Sequence, residues 1–417
     1  MVPKNRREYL ENELFPTAMK NGNFGRELTF VGCELDAEAA GVDQYASSVV
    51  FLTATATSDS DRANKIQTAD HQHTRFNLVV KFQPTDAKVR ELMNSDVQFH
   101  NELSMYTTIL PKLDNSTSII SSIFPKFYFG VSTLGNDPES DVVAIEDLRG
   151  LGFRLTEERA FLDYDHVALT LTALGKFHAL SYVLKSQAPA EFAKLTAILK
   201  EHHSTNDMNI MIQKCSFRGI DPVLEESPKD PLIIKLRKLF EDKPQLIMKE
   251  LITPEEPMSV ICHGDFLRNN LLFSYDPTGK PKSVRFFDLQ RSRYASPVID
   301  LSLFLWINTT YELRSKHWNE FIKIYHESLS KVVEENDCSP PTLEQIHQEL
   351  SKKGIYGYIH CSYFLPIMVC DFQLDIEQSA SMSPDEMAIF MSQVSGEYGT
   401  KLLADIVRHI SQFKCFS

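Results

Sequence analysis

The chain has 417 residues, 43% of them hydrophobic and 24% charged, which is enough apolar sequence for a sizeable core in two domains or in one domain of two lobes. A formal net charge of −13 argues against a general nucleic-acid or anionic-membrane surface, because either favours clustered Lys and Arg. Seven scattered cysteines with no C-x-x-C pair argue against a zinc site or a disulfide framework and suggest reduced thiols in an intracellular protein.

The first residues, Met1-Val2-Pro3-Lys4-Asn5-Arg6-Arg7-Glu8, are polar and lack the apolar run of a secretory signal. Residues 1–29 are read as an N-terminal extension, and a soluble, cytoplasmic protein is expected. Strand character begins at residues 43–57, which are rich in β-branched and aromatic side chains. The polar stretch 58–74 reads as a turn or hairpin tip, and 75–82 as the next strand. A helix is expected over about 86–110, with Leu92, Met93, Val97, Phe99, Leu103, Tyr106 and Ile109 at roughly helical spacing. Strands follow at 126–131 and 141–146, which completes a small α+β unit.

Beyond Gly150 the pattern is helical: 166–184, 190–201, 230–243, 299–307, 317–335, 343–352 and 386–413. The apolar stretch 355–370 carries His360 and Pro366 and is too short to span a bilayer comfortably, so it reads as a buried helix. No membrane span is expected. The change of pattern divides the chain into an N-terminal unit, 1–147, and a C-terminal unit, 148–417.

The most informative stretch lies inside the helical half. An apolar run leads into His263-Gly264-Asp265, Asn270 follows five residues later, and a second acid, Asp288, ends the run Val284-Arg285-Phe286-Phe287. This is the layout of a kinase-type phosphoryl-transfer site. One Asp takes the acceptor's proton, while an Asn and a second Asp hold magnesium on the nucleotide phosphates. Asp265 is the candidate base. Asn270 offers magnesium, a hard cation, an amide oxygen. Asp288 is the main metal candidate, because a charge after an apolar run is costly unless compensated. His263 belongs to the same catalytic loop and is expected to fix it by bonding a nearby carboxylate or carbonyl. Asn269 is expected in a turn role. Asp300 opens an apolar helix, where a carboxylate is favoured, and is read as a brace for the loop.

Lys81 ends the run Leu78-Val79-Val80 and is read as a phosphate ligand. A lysine in that role needs a helix glutamate, and Glu102 is the candidate. No G-x-G-x-x-G or Walker pattern precedes it. Ser47 or Ser48 can cap phosphates instead, and a plain turn before a strand explains them equally well. Glu146-Asp147-Leu148 falls where strands give way to helices, and an extended linker there can meet an adenine edge. Trp306, Tyr311, Tyr356, Tyr358, Tyr363 and Phe364 are candidates for lining an acceptor pocket, and core packing explains the same residues. His71 with His73, and His202 with His203, lack acid or Cys partners at ligand spacing and read as solvated.

Taken together, these residues resemble the ecdysteroid kinase-like family of animals, also described as CHK kinase-like. That family lies within the aminoglycoside-phosphotransferase and choline-kinase group. The matching pieces are Tyr45-Ala46-Ser47, Val80-Lys81, Glu102 with Tyr106, Glu146-Asp147-Leu148, Leu174-Gly175-Lys176-Phe177-His178-Ala179, His263-Gly264-Asp265 with Asn269-Asn270, Asp288-Leu289-Gln290, and Pro297-Val298-Ile299-Asp300-Leu301. They cover roughly residues 30 to 400. The chain has Leu289 where the family's usual text is Asp-Phe-Gln, an apolar-for-apolar change that leaves the metal role intact.

The resemblance implies a two-lobed, protein-kinase-like α+β fold with a small β-rich N-lobe, one main helix in it, and a larger helical C-lobe. It implies ATP and Mg2+ as cofactors and a small-molecule alcohol as substrate, an ecdysteroid-like steroid above all. It implies Asp265 as base, Asn270 and Asp288 on magnesium, and Lys81 on the phosphates with Glu102 behind it. Choline, amino-sugar or xenobiotic alcohols remain alternative acceptors. A catalytically silent protein that binds a lipophilic hormone remains an alternative of another class. No nucleic-acid partner is expected.

Overall fold

Alternation of apolar and polar residues builds the first sheet. β1 (Thr29–Leu35), β2 (Ser48–Thr57), β3 (Thr74–Phe82), β4 (Phe127–Val131) and β5 (Val142–Glu146) pair antiparallel in the order β1-β2-β3-β5-β4. The computed structural model describes residues 4–36, 48–58, 73–114, 117–201, 206–242, 244–370 and 382–416. In β3, Leu78, Val80 and Phe82 are buried on one face, and Lys81 therefore points to the other, opposite Val49 of β2 and Val143 of β5.

The two faces of the sheet have different neighbours. The Leu78 face packs against the N-terminal segment, where the helical turn Leu10–Leu14 buries Leu10 and the helix Phe15–Lys20 buries Phe15 and Met19. Phe15 stacks on Phe30 at 5.2 Å and meets the edge of Phe129 at 5.3 Å. The segment expected as an extension thus supplies six of the sixteen buried residues of this small core. Val143, on the Lys81 face, joins the large core of the helical region instead.

The single helix expected over 86–110 is broken. Asp86 caps a first piece, Ala87–Met93, by accepting from the amides of Lys88 and Val89. Asn94 then turns left-handed, φ 53°, and α1 (Ser95–Ser104) begins in a new direction. Asn tolerates that conformation better than other residues with a Cβ, which periodicity alone does not reveal.

The larger region is helical. α2 (Tyr164–Gln187) is long and apolar enough to cross a membrane by length and composition, but 78% of its apolar stretch is buried inside the protein, largely along α5 (Tyr311–Glu335). α3 (Asn206–Glu226) and the helix Pro244–Ile252 were not foreseen; Pro222 inside α3 disguises its pattern. α4 (Val298–Asn308) is buried at every residue and crosses α6 (Ile355–Met368). A Cβ on Gly357 would overlap Trp306 and Ser302, so glycine allows that close crossing. The helix expected over 386–413 is two, Pro384–Gln393 and α7 (Gly396–Phe413), separated at Ser395 with φ 62°. β1 also escaped the pattern, because its register shifts between Phe30 and Gly32. The α+β arrangement of a β-rich N-terminal lobe and a larger helical lobe is the one observed.

Candidate active site

Two short antiparallel pairs set the site into the helical lobe. β6 (Val260–Cys262) pairs with β9 (Arg293–Ala295), and β7 (Leu271–Tyr275) with β8 (Pro281–Phe286). Asp265 lies in the turn after β6 and Asp288 directly after β8. The two loops are stitched together, because the Phe287 amide donates to the Asn270 carbonyl at 3.1 Å and His263 Nε2 donates to the Phe287 carbonyl at 2.8 Å. Gly264 has φ 82°, and a Cβ there would overlap the carbonyl oxygen of Arg291. Only a glycine lets these two backbones meet.

The His-Gly-Asp turn is held from below by Asp300 in the first turn of α4. Its Oδ2 accepts from the His263 amide at 2.6 Å and its Oδ1 from the Gly264 amide at 2.8 Å. His178 of α2 bridges Asp300, at 3.1 Å, and the Tyr325 hydroxyl, at 2.9 Å. All of this is inaccessible to solvent. Burial alone would raise the Asp300 carboxyl, but hydrogen bonds from His178 and the Gly264 amide outweigh it and hold the group below the usual carboxylate range. The Cys262 thiol lies within 4.8 Å of the ligand atoms of His178 and Asp300. Both ring nitrogens of His178 are already bonded, burial pushes the thiol far up and the thiol donates to the Ser296 carbonyl at 3.4 Å, so His178 and Asp300 read as a hydrogen-bonded brace beside it.

Lys81, from the other lobe, reaches this floor. Its ammonium lies 2.8 Å from Glu102 of α1, 2.7 Å from Asp288 and 2.9 Å from the Gln290 amide oxygen. An ammonium has three donors, and all three are used. Burial opposes its charge, but Asp288 and Glu102 outweigh burial and hold the ammonium above its ordinary value. Gln290 also donates to the second oxygen of Asp288 at 2.9 Å. Asp288 is held left-handed, φ 64° and ψ 62°. Such a conformation costs on the order of 1–3 kcal/mol for a residue with a Cβ and persists where the surroundings dictate it.

Asn270 Nδ2 donates to the carbonyl and carboxylate of Asp265, at 2.8 and 3.1 Å. That fixes the amide's orientation and leaves its Oδ1 without a hydrogen-bond partner among the described residues. An amide oxygen and the Asp288 carboxylate make an all-oxygen donor pair that fits magnesium.

The remaining expected residues divide. His263 is fully buried, with Nε2 on Phe287 and Nδ1 accepting from the Asp265 amide at 3.4 Å. Both ring nitrogens are thus engaged by the backbone of the two loops. Asn269 accepts from Arg268 at 3.3 Å. Ser48 is exposed, opposite Phe82. Asp147 is turned onto the amide and guanidinium of Arg149, at 3.0 and 2.7 Å, while Glu146 accepts from the Lys126 amide at 3.3 Å and Leu148 is buried. Ser47, His71, His202 and His203 lie outside the described residues. Trp306 and Tyr358 are core residues, stacked on Trp318 and bonded to the Ser216 carbonyl respectively. Tyr356 and Tyr363 share their electrostatic surroundings with Asp265.

Three contributors had no role assigned from the sequence. Gln290 completes the lysine's coordination. Asn101, fully buried, bonds both Lys200 and the Ser292 carbonyl and so pins α1 to the helical lobe. Arg291 lies against Gly264. The residue next to Glu102 and the residues after Asp288 were the only available hints.

No curated protein is matched in sequence. Among solved structures the chain is similar to an ethanolamine kinase of Plasmodium vivax, with 13% identity over 87% of this chain and 82% of that one and a TM-score of 0.41. It is also similar to a choline kinase of Cryptosporidium parvum (13% identity, 91% and 90%, TM-score 0.43). A macrolide 2'-phosphotransferase of Brachybacterium faecium matches at 14% identity over 86% and 99%, with a TM-score of 0.36. The model of the ecdysteroid kinase-like family matches residues 41–337, a span that contains Lys81, Glu102, Asp265, Asn270 and Asp288, and the chain belongs to that family.

Proposed function

We propose that the protein is a small-molecule kinase that transfers the γ-phosphate of ATP to an alcohol hydroxyl, with Mg2+, and that an ecdysteroid-like steroid is its leading acceptor. The observation that carries this reading is the meeting of Lys81, Glu102 and Asp288 within 2.8 Å, with Asn270 bonded to Asp265 on the adjoining loop. Family membership and this constellation support each other.

The roles follow from the chemistry of each group. When bound, magnesium–ATP supplies the phosphoryl group and neutralises charge on its oxygens. Asp265, partly exposed, orients the acceptor hydroxyl and takes its proton, a contribution typically worth about 10²–10⁴-fold. Asp288 and Asn270 hold the metal by oxygen. Lys81 exchanges one of its three partners for a phosphate oxygen, and Glu102 keeps the ammonium in place meanwhile. Backbone groups of 146–148 meet the adenine edge, and Ser48 caps the phosphates. The lobe boundary at 147/148 belongs to the same reading, as does a reducing, cytoplasmic setting, in which seven unpaired cysteines are at home.

The test is transfer from labelled ATP, with magnesium, to a panel of steroid, choline, sugar and xenobiotic alcohols. Transfer to a steroid alcohol is the expected result. Transfer to choline or a sugar alone moves the acceptor class. Nucleotide binding without transfer to any acceptor replaces the kinase with a silent binding protein.

A further inference from the structure

We propose that Gln290 is a positioning residue that keeps Lys81 on the nucleotide phosphates when Asp288 turns to the metal. The inference rests on the kinase reading above and names which of the lysine's three partners is exchanged and which are kept.

The pattern of hydrogen bonds carries it. Lys81 reaches Glu102 at 2.8 Å, Asp288 Oδ1 at 2.7 Å and Gln290 Oε1 at 2.9 Å, and Gln290 Nε2 donates to Asp288 Oδ2 at 2.9 Å. Lysine, aspartate and glutamine therefore close a ring, in which the amide serves the cation with its oxygen and the anion with its nitrogen. A carboxylate in that place has no donor, and a hydrocarbon has neither donor nor acceptor. An ionised Asp288 only accepts, so it takes the nitrogen end of the amide and leaves the oxygen end on Lys81.

The three partners differ in what a ligand can reach. Glu102 and Gln290 are buried, whereas Asp288 is partly exposed and is an oxygen donor suited to magnesium. An ammonium and a divalent cation repel each other on one carboxylate, so the Lys81–Asp288 bond is the one given up. Lys81 is then left with two anchors and one donor for a phosphate oxygen. Both anchors sit on elements fastened to each other. The turn Leu289–Arg291 packs along α1, which carries Glu102, and Asn101 of α1 donates to the Ser292 carbonyl at 3.4 Å. Held by Glu102 alone, the ammonium would swing about a single acceptor; two fixed acceptors define its place. The amide is uncharged and so holds the lysine without neutralising it.

The test varies magnesium, because Asp288 leaves Lys81 only in its presence. ADP is titrated calorimetrically, with and without magnesium, into the parent, Gln290→Met and Gln290→Ala, after thermal unfolding has shown that each variant folds. Without magnesium Asp288 still holds Lys81, and both variants should bind ADP within about threefold of the parent. With magnesium the loss should be about tenfold or more, the scale of one hydrogen bond to a charged group. In a Lys81→Met background, Gln290→Met should add no further loss. Both single variants should raise the KM for ATP and leave the KM of the acceptor unchanged. An equal loss with and without magnesium, no loss in either condition, or a further loss in the Lys81→Met background overturns the proposal. The expected binding pattern without transfer to any acceptor would instead remove the kinase reading alone.

Discussion

Asp288 and Asp300 stand a short stretch apart and are held in opposite ways. Asp300 is wholly buried, bonded to two backbone amides and to a histidine that is itself anchored by Tyr325. Asp288 is 23% exposed, sits on a left-handed backbone, and is paired with a lysine from the other lobe. The first acid has only partners that belong to the fold. The second has for partners an ammonium from the other lobe and the Gln290 amide. On the proposed reading, a carboxylate that shapes a loop and one that serves chemistry are told apart by whether the partner can be exchanged.

The chemical half of that contrast has the largest expected effect. Asp265→Asn should lower kcat by about 10²–10⁴-fold, while thermal unfolding stays within a few degrees of the parent. A variant that turns over normally would remove Asp265 from the chemistry. A variant that unfolds would make it a brace like Asp300.

The structural half comes next. Asp300→Ala leaves Nε2 of His178 and the amides of His263 and Gly264 unpaired in the interior, and should destabilise the fold by about 3–5 kcal/mol, read by urea unfolding. A loss of activity with unchanged stability would erase the distinction between the two acids.

Acid pH gives a smaller and finer separation. His409 stacks on Phe413 at 4.2 Å, neither of its ring nitrogens is hydrogen-bonded among the described residues, and burial with Arg314 nearby lowers it to about 2. His360 is lowered to about 3. Both are uncharged in the fold and protonate near pH 6.5 in the unfolded chain. Their stabilising contribution is therefore complete above pH 6.5 and is lost as pH falls, at about 2 kcal/mol each by pH 5. Asp300 is lowered too, but its unfolded reference is near 3.9, so its contribution survives to lower pH. Tm measured from pH 7 to 5 should fall in the parent and fall less in His409→Phe. Equal slopes would rule out the histidine as the cause.

Much of the candidate site was legible because its residues break apolar runs. Lys81 after Leu78-Val79-Val80, Asp265 after Val260-Ile261-Cys262, and Asp288 after Phe286-Phe287 are charges where a strand pattern predicts none. Asp300 at the head of an apolar helix was legible for the same reason. Gln290 and Asn101 were not, because Lys81, Lys200 and Ser292 lie on distant elements that only folding brings near. Glu146 and Asp147 were legible as a joint between lobes, yet their carboxylates are bound to Lys126 and Arg149. In the fold, periodicity gave helices and strands but not the left-handed breaks at Asn94 and Ser395, which are backbone choices of single residues.

The most direct test titrates a non-hydrolysable ATP analogue, with and without magnesium, into the parent, Asp265→Asn and Asp288→Asn proteins. The account predicts magnesium-dependent binding in the parent and in Asp265→Asn, and loss of the magnesium dependence in Asp288→Asn. Magnesium-dependent binding that persists in Asp288→Asn, or disappears in Asp265→Asn, would contradict it.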